Sequence, residues 1–189
     1  MQRYVSMKKE RPGLKTKRLL LRPFLLSDAD RVRRLAGNRI IADRMLNIPH
    51  PYRKGMARKW ISTHQAKFEA GEAVHFAIVL ESSGNLIGAI GLNINKDYNR
   101  AELGYWIGEK YWGRGYASEA AAAVVEYGFF QLNLHKITSS HFASNPASGK
   151  VMRNIGMKEE GFRKEHIIKK GKYEDLVDYA IFATKKGKQ

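Results

Sequence analysis

The chain has no cysteine among its 189 residues. This absence excludes disulfide frameworks, thiolate metal sites and a cysteine nucleophile. No apolar run is long enough to cross a bilayer, and the charged residues 1–11 lack the apolar stretch of a signal peptide. Acidic residues are also scarce, 18 against 34 lysines and arginines, which gives a formal net charge of +16. We therefore expect a soluble, strongly basic cytoplasmic protein with no membrane partner.

The positive charge is spread along the chain and predicts an anionic partner without identifying it. Such a field attracts nucleic acid, ribosomes or phosphate-bearing small molecules. The six histidines show neither the spacing of a helical ligand pair nor a cluster with acids, so we expect no metal site. His64 falls on an apolar helix face and is expected to be a core histidine with satisfied hydrogen bonds.

The sequence predicts a single domain over residues 1–189. Its core spans about 17–184, between a basic N-terminal leader (1–16) and a C-terminal tail (185–189). Apolar residues make up 43% of the chain, enough to form a core, and no repeat or low-complexity linker interrupts it.

Hydrophobic periodicity predicts the element order βααβββαβαββ. The first helix is expected to begin at a Ser27 cap, and a second to run over about 54–70. A later helix carries a stripe of small residues at helical spacing, formed by Ala117, Ala120, Ala121, Val124, Val125 and Gly128. Antiparallel strands with one β-helix-β crossover indicate an α+β fold, with a central mixed sheet flanked by helices.

A glycine loop at Gly113-Arg114-Gly115 leads from a predicted strand into the helix with the small-residue stripe. A helix N-terminus offers unpaired N–H groups and a positive dipole end, which favour phosphate oxygens. An ordinary strand-to-helix turn explains the two glycines equally well. The spacing matches neither a Walker loop nor a dinucleotide fingerprint.

Four segments in register resemble the acetyl-CoA motifs of the GNAT superfamily of N-acetyltransferases. They are residues 102–108, 112–117, 145–148 and 154–157. The opening 17–23 and Trp112 make the chain similar to the branch that acetylates the N-termini of ribosomal proteins. The resemblance covers about 17–184. It implies the GNAT fold, whose mostly antiparallel sheet is splayed open beside the glycine loop.

The resemblance also implies that acetyl-CoA is the cosubstrate. Pantetheine is then expected to contact the main chain of Trp106, Ile107 and Gly108. The pyrophosphate is expected to contact Gly113, Arg114, Gly115, Tyr116, Ala117 and Ser118. Asn145 occupies the place of an asparagine that bonds the cofactor, and it would also suit a helix N-cap. Lys150 and Arg153 either meet the phosphorylated end of CoA or lie on an exposed helix face.

The implied reaction is direct attack of an amine on the thioester, which needs a base and an acid. Glu102, in the middle of an otherwise apolar strand, is the candidate base through a water molecule; a structural ion pair is the alternative. Glu165 is a weaker candidate base. Many family members use a tyrosine as the acid, and here that position is Met152. Ser148 is the substitute, unless it only packs its helix.

We therefore expect acetyl transfer from acetyl-CoA to a primary amine, above all the N-terminal amine of a ribosomal or other protein. Acetylation of an aminoglycoside or polyamine stays open, as does a non-catalytic module of the same fold that binds RNA or ribosomes. Tyr105 and Tyr111 could shape the acceptor groove. The C-terminal hairpin could pair with a second copy as a homodimer.

Overall fold

The structure is a computed structural model that describes residues 9–184. Its strands are β1 (Leu14–Lys15), β2 (Leu19–Arg22), β3 (Ala73–Leu80), β4 (Leu86–Asn95), β5 (Arg100–Ile107), β6 (Lys136–Phe142), β7 (Lys158–Lys169) and β8 (Lys172–Phe182). Its helices are α1 (Ala29–Ala36), α2 (Arg39–Arg44), α3 (Met56–Ser62), α4 (His64–Glu69), α5 (Tyr116–Phe130) and α6 (Pro146–Asn154). No helix within 9–184 is long and apolar enough to span a membrane.

The strands form one sheet in the order β1-β2-β3-β4-β5-β6-β8-β7. This mixed, mostly antiparallel sheet with flanking helices confirms the predicted α+β fold. The predicted leader is described only from residue 9, and its Leu14–Lys15 already forms β1 against β2. The predicted tail, 185–189, lies outside the described residues.

The sheet opens between β5 and β6, the one parallel pair among the described strands. The two strands pair only where Arg100–Glu102 faces Lys136–Thr138. Beyond Glu102, β5 continues along β4 while β6 continues along β8. The Ser139 hydroxyl donates to the Leu103 carbonyl at 2.9 Å, where the gap begins. The expected splay is therefore present and lies beside the start of α5.

Two hydrophobic cores pack against opposite faces of the sheet. On one face the small-residue stripe of α5 is buried, with Ala120, Ala121 and Val124 fully inaccessible. Small side chains let the helix axis approach the strands closely, so the predicted stripe is confirmed. On the other face α1 and α3 pack on Ala89 and Trp106. The central strands are therefore apolar on both faces.

The helix predicted over 54–70 is divided into α3 and α4. The N–H and the hydroxyl of Thr63 both donate to the Trp60 carbonyl, at 3.2 and 2.8 Å, which tightens the chain at this point. Thr63 keeps a right-handed helical conformation, with φ of −81° and ψ of −15°. The helical spacing of apolar residues therefore continues from α3 into α4, so the sequence does not reveal that the helix is divided. The predicted element order also lacks β1 and α2.

The expected Ser27 cap is wrong, because a 3₁₀ turn over Leu26–Asp28 precedes α1. Asp28 is the side chain that organises this turn. It accepts the Leu25 N–H at 2.8 Å and two hydrogen bonds from the Arg22 guanidinium at 2.7 and 2.9 Å. Burial alone would raise the pKa of Asp28, but these hydrogen bonds and the nearby positive charge lower the pKa overall.

We expect Asp28→Asn to lower the free energy of unfolding at pH 7 by about 2–3 kcal/mol, because it breaks a partly buried bidentate pair. Since folding lowers the pKa of Asp28, its contribution is complete above the ordinary value of 3.8 and is lost as pH falls through the lowered value. Urea unfolding at pH 7 and pH 3 measures both effects. The control Asp30→Asn removes an exposed carboxylate 3.8 Å from Arg33 and should cost little. Equal losses in the two variants would contradict the assignment.

Candidate active site

Three adjoining cavities lie along β5, beside the point where it separates from β6. The loop cavity, about 450 Å³, is bounded by residues 105–107, 111–113, 115–118 and side chains of α2 and α6. The aromatic cavity, about 320 Å³, is bounded by Tyr52, Trp60, His75, Trp106 and residues 47–49. The polar cleft, about 820 Å³, follows residues 100–105 and 138–142 and reaches β7 and β8. Tyr105 and Met45 line all three cavities, so the cavities meet at these side chains.

The loop cavity contains the N-terminus of α5. Gly113 and Gly115 have φ of 75° and 77°, left-handed values that other residues adopt only with strain. The first backbone amide of α5 that bonds a carbonyl four residues earlier is that of Glu119, to Gly115, at 3.0 Å. Among the described residues, the amides of 113–118 donate to no carbonyl. The loop therefore presents the free donors and the dipole end that suit a phosphate group.

Arg18 fixes this loop from the start of β2. Its guanidinium donates to the Glu119 carboxylate at 2.7 Å and to the Arg114 carbonyl at 3.0 Å. The same guanidinium lies 4.6 Å from the centre of the Tyr116 ring. Thr16 adds a hydrogen bond to Glu119 at 2.6 Å. The loop is thus held in place by side chains that lie outside the cavity.

The main-chain groups of β5, the strand beside the loop cavity, point alternately towards the gap and towards β4. The carbonyl of Leu103 reaches β6, so alternation points the main chain of Ile107 into the gap and that of Trp106 towards β4. The Ile107 carbonyl already accepts the Trp112 indole N–H at 2.6 Å. Gly108 donates to Ile87 and accepts from Tyr111, both at 2.8 Å. Of the three residues predicted to contact pantetheine through the main chain, only Ile107 therefore faces the gap.

The predicted cofactor residues divide into two groups. Those that line the loop cavity are Trp106, Ile107, Gly113, Gly115, Tyr116, Ala117, Ser118 and Asn145. Gly108 and the Arg114 side chain do not line it. Lys150 does, whereas Arg153 points away and donates to the Tyr179 hydroxyl at 2.8 Å. Arg44, which the sequence analysis does not predict, also lines the cavity. Its guanidinium lies 4.7 Å from the centre of the Trp112 ring.

These donors suit the thioester nucleotide expected from the sequence. Free amides at a helix N-terminus and two cations, Arg44 and Lys150, favour phosphate oxygens. The apolar walls of the same cavity suit a pantetheine arm. A Cβ on Gly115 would lie 3.5 Å from the Arg18 guanidinium, so this glycine is required by its φ rather than by crowding.

Asn145 and Ser148 begin α6 on the far side of the loop cavity. The Asn145 carbonyl accepts the Ser148 N–H at 3.1 Å, but its side chain makes no capping hydrogen bond, so the amide remains available for a ligand. The Ser148 hydroxyl lies 2.8 Å from the Tyr105 hydroxyl, which is also 2.9 Å from the Ser148 carbonyl. Burial raises the pKa of Tyr105 to about 12, so its hydroxyl stays protonated at neutral pH. Met152 is buried in the core.

Glu102 lies on the polar cleft, on the strand face opposite Leu103. It is exposed, and its carboxylate has no ion-pair or side-chain hydrogen-bond partner among the described residues. Other acids of the cleft are paired: Glu160 with Lys136 at 2.8 Å, and Asp178 with Arg163 at 2.6 Å. Within residues 9–184, the alternative that Glu102 forms a structural ion pair is therefore not what the structure shows.

Glu165, the weaker candidate base, is not brought to the site. It lies in a bulge of β7 with φ of 48°, and its N–H donates to Asp175 at 2.6 Å. It lines none of the three cavities.

His64 is buried as predicted, but its hydrogen bonds are not satisfied. Neither ring nitrogen has a partner within the described part of the chain. The ring stacks on His75 with centroids 4.5 Å apart, and Trp60 meets it edge-on at 4.4 Å. Burial, followed by nearby positive charge, lowers the pKa of His64 to about 3 and that of His75 to about 4. Both rings are therefore neutral at pH 7.

Comparison with known proteins identifies the family. Residues 18–158 match the family described as "Acetyltransferase (GNAT) domain". An uncharacterized N-acetyltransferase p20 of Bacillus licheniformis is 32% identical over 174 residues, 92% of this chain and 96% of the relative. The ribosomal protein uS5-alanine N-acetyltransferase of Escherichia coli is 27% identical over 113 residues, 59% of this chain and 58% of that protein.

A solved structure agrees with these sequence matches. The GNAT-family acetyltransferase from Bacillus anthracis superposes with a TM-score of 0.80 at 27% identity, covering 91% of this chain and 99% of that one. The splayed sheet, the free amides at the start of α5 and the family match lead to one conclusion. The chain belongs to the GNAT acetyltransferases and is an acetyl-CoA-dependent N-acetyltransferase.

Proposed function

We propose that this enzyme acetylates the N-terminal amine of a protein, such as a ribosomal subunit protein. The polar cleft carries the proposal. It provides about 820 Å³ from Tyr105 to the β7–β8 hairpin, far more space than a small amine occupies. In this proposal an extended chain lies in the cleft with its amine where the cleft meets the loop cavity. The relative that modifies ribosomal protein uS5 supports this class of acceptor.

The charge of the enzyme favours the same class. Arg44 and Arg100 line the cleft, and the chain carries a net charge of +16, which attracts the anionic ribosome. An aminoglycoside or a polyamine would bring several positive charges into this field. Only one acid of the cleft, Glu102, is left unpaired to receive them. A non-catalytic RNA-binding module is set aside because the chain belongs to a family of acetyltransferases.

The proposed mechanism is direct transfer of the acetyl group. The bound thioester supplies the activated acetyl group. Glu102, which has no partner, takes the proton of the attacking ammonium through a bridging water. Ser148 lines both the loop cavity and the polar cleft. As the C–S bond breaks, its hydroxyl gives a proton to the departing sulfur and takes the second proton from the nitrogen of the tetrahedral intermediate, so that the serine ends unchanged. Tyr105 is a positioning residue that orients the Ser148 hydroxyl.

The acceptor class is tested by mass spectrometry of cellular protein N-termini with and without the enzyme. We expect one or a few N-termini to lose acetylation when the enzyme is removed. Unchanged N-termini, together with release of thiol from acetyl-CoA by spermidine or an aminoglycoside, would replace the protein acceptor with a small amine.

Glu102→Gln is expected to lower kcat by roughly a hundredfold or more, because it removes the proposed base. The Kd for acetyl-CoA should not change, since Glu102 does not line the loop cavity. Thiol release with an N-terminal peptide measures kcat, and calorimetry measures the Kd. The matched control Glu165→Gln changes an acid outside the site. Normal turnover in Glu102→Gln would remove this residue from the mechanism.

Ser148→Ala is expected to lower kcat by roughly a hundredfold while acetyl-CoA still binds, because the leaving sulfur loses its proton donor. Ser144→Ala provides the control. Ser144 lies in the preceding loop and bonds Glu174 at 3.0 Å. If Ser148→Ala turns over as fast as Ser144→Ala, another group protonates the sulfur.

Gly115→Val is expected to abolish acetyl-CoA binding, because a β-branched residue cannot adopt φ of 77° without moving the loop amides. Calorimetry measures the loss, and thermal unfolding checks that the fold remains. Gly84→Val is the matched control, since Gly84 has φ of 66° in the β3–β4 turn. If both variants bind acetyl-CoA normally, these amides do not hold the phosphates.

A further inference from the structure

The aromatic cavity carries no charged side chain among the described residues. Ile48, Tyr52, Met56, Trp60 and Trp106 form much of its wall, and Asn47, Asn93 and His75 add polar side chains beside these apolar and amphipathic rings. An unpaired charge is very unfavourable in such surroundings. An occupant that binds there is therefore apolar or aromatic, with at most a hydrogen-bonding group.

The histidine stack keeps this wall uncharged. His75 lines the cavity, and His64 packs behind it with the rings nearly parallel, at an interplanar angle of 14°. Two protonated imidazoles at 4.5 Å would repel each other, and Arg11 and Lys67 add further positive charge. At pH 7 the cavity therefore presents a neutral aromatic ring.

Gly104 provides the space for an occupant. It pairs in register with Gly91 of β4, which pairs with His75 of β3. A Cβ on Gly104 would meet no atom within 4 Å, whereas a Cβ on Gly91 would lie 2.5 Å from the Val74 carbonyl. The φ of Gly104 lies outside the left-handed region, so its backbone does not need glycine. Gly104 lines both the aromatic cavity and the polar cleft, so the absent side chain leaves open volume where the two meet.

Gly104 also lies between the two halves of the proposed site. Glu102 and Trp106 point to the same face of β5, each about 7 Å along the strand from Gly104. Trp106 lines the loop cavity as well, and Glu102 lines the polar cleft. A group in the aromatic cavity is therefore adjacent to an amine placed at the junction of the three cavities.

We propose that the aromatic cavity binds an uncharged aromatic or large aliphatic group next to the reacting amine. This inference rests on the proposed function. For a protein acceptor, the bound group is the side chain of the first residue: phenylalanine, tyrosine, tryptophan, leucine or methionine. A volume of about 320 Å³ is at the small end for ligand pockets, which suits one such group rather than a larger ligand.

One wall of the cavity is held in place by the C-terminal hairpin. The Lys169 ammonium donates to the carbonyls of Met45 and Leu46, at 2.5 and 3.1 Å. Burial, with the positive charge of Lys170, lowers the pKa of Lys169. Lys170 also forms an ion pair with Asp43. The segment between α2 and α3 is therefore fixed before an acceptor arrives, which favours selection by shape.

The test compares kcat/KM for matched acceptors with saturating acetyl-CoA. One pair is a peptide that begins with phenylalanine and the same peptide beginning with alanine. The other pair is 2-phenylethylamine and propylamine. We expect the aromatic member to be favoured about tenfold to a hundredfold in each pair, because its ring is buried in the cavity.

Gly104→Val fills the cavity and should reduce the phenylalanine-to-alanine ratio to about one. Gly104→Ala adds a smaller side chain and should give an intermediate ratio. If the valine variant does not fold, the alanine variant still tests the inference. Gly161→Val is the matched control. It makes the same change in β7, where a Cβ also meets nothing within 4 Å, and Gly161 lines none of the cavities. Its ratio should equal that of the unchanged enzyme.

The outcomes separate this inference from the proposed function. Equal rates within both pairs, or a ratio that survives Gly104→Val, would overturn the aromatic-side-chain assignment while leaving protein acetylation standing. Preference for 2-phenylethylamine with no acetylation of either peptide would support the assignment and overturn the protein acceptor.

Discussion

The site depends on the point where β5 and β6 stop pairing. β5 and β6 pair over only three residues, ending at Glu102. Every later residue of β5 pairs with β4 and has no paired strand on its other side. Unpaired main chain in a protein interior is unfavourable, so such a gap persists only where other groups replace the missing ladder. Ser139 and Trp112 do this in part, through side-chain hydrogen bonds to the carbonyls of Leu103 and Ile107. The amides of 113–118, which donate to no carbonyl among the described residues, border the same gap.

Charge acts at two distances in this enzyme. The net charge of +16 attracts anionic partners over the whole surface, and Arg44 and Lys150 bring the same sign to the loop cavity. In the polar cleft, Lys136 and Arg163 are neutralised by acids of β7 and β8, whereas Arg44 and Arg100 form no ion pair among the described residues. The aromatic cavity has no charge. Attraction of anionic partners is therefore a property of the whole surface, whereas the proposed selection of an acceptor rests on the uncharged aromatic cavity and on Glu102, the unpaired acid of the polar cleft.

The sequence predicts best those parts of the fold in which apolar or small residues recur at a regular spacing. The stripe of α5 and the glycines before it follow from helical spacing and from residues that tolerate positive φ, and both lie where expected. The acceptor side could not be predicted as well. Met45 and Tyr52 come from a segment of short helices without a sustained period. The main-chain groups of Gly108, a predicted pantetheine contact, are used within the strand and turn, and no residue pattern in the sequence indicates that.

The hydroxyl at the centre of the site illustrates why position in the sequence is a poor guide to chemistry. On α6, Met152 occupies the place where many family members carry a tyrosine, and its side chain is buried in the core. A tyrosine is nevertheless present at the junction of the cavities, contributed by the sheet: Tyr105 reaches across the gap to Ser148. In the proposed mechanism the proton donor beside the departing sulfur is the Ser148 hydroxyl. Because the splay brings β5 and α6 to opposite sides of one cavity, a tyrosine on the strand can orient that hydroxyl from across the gap.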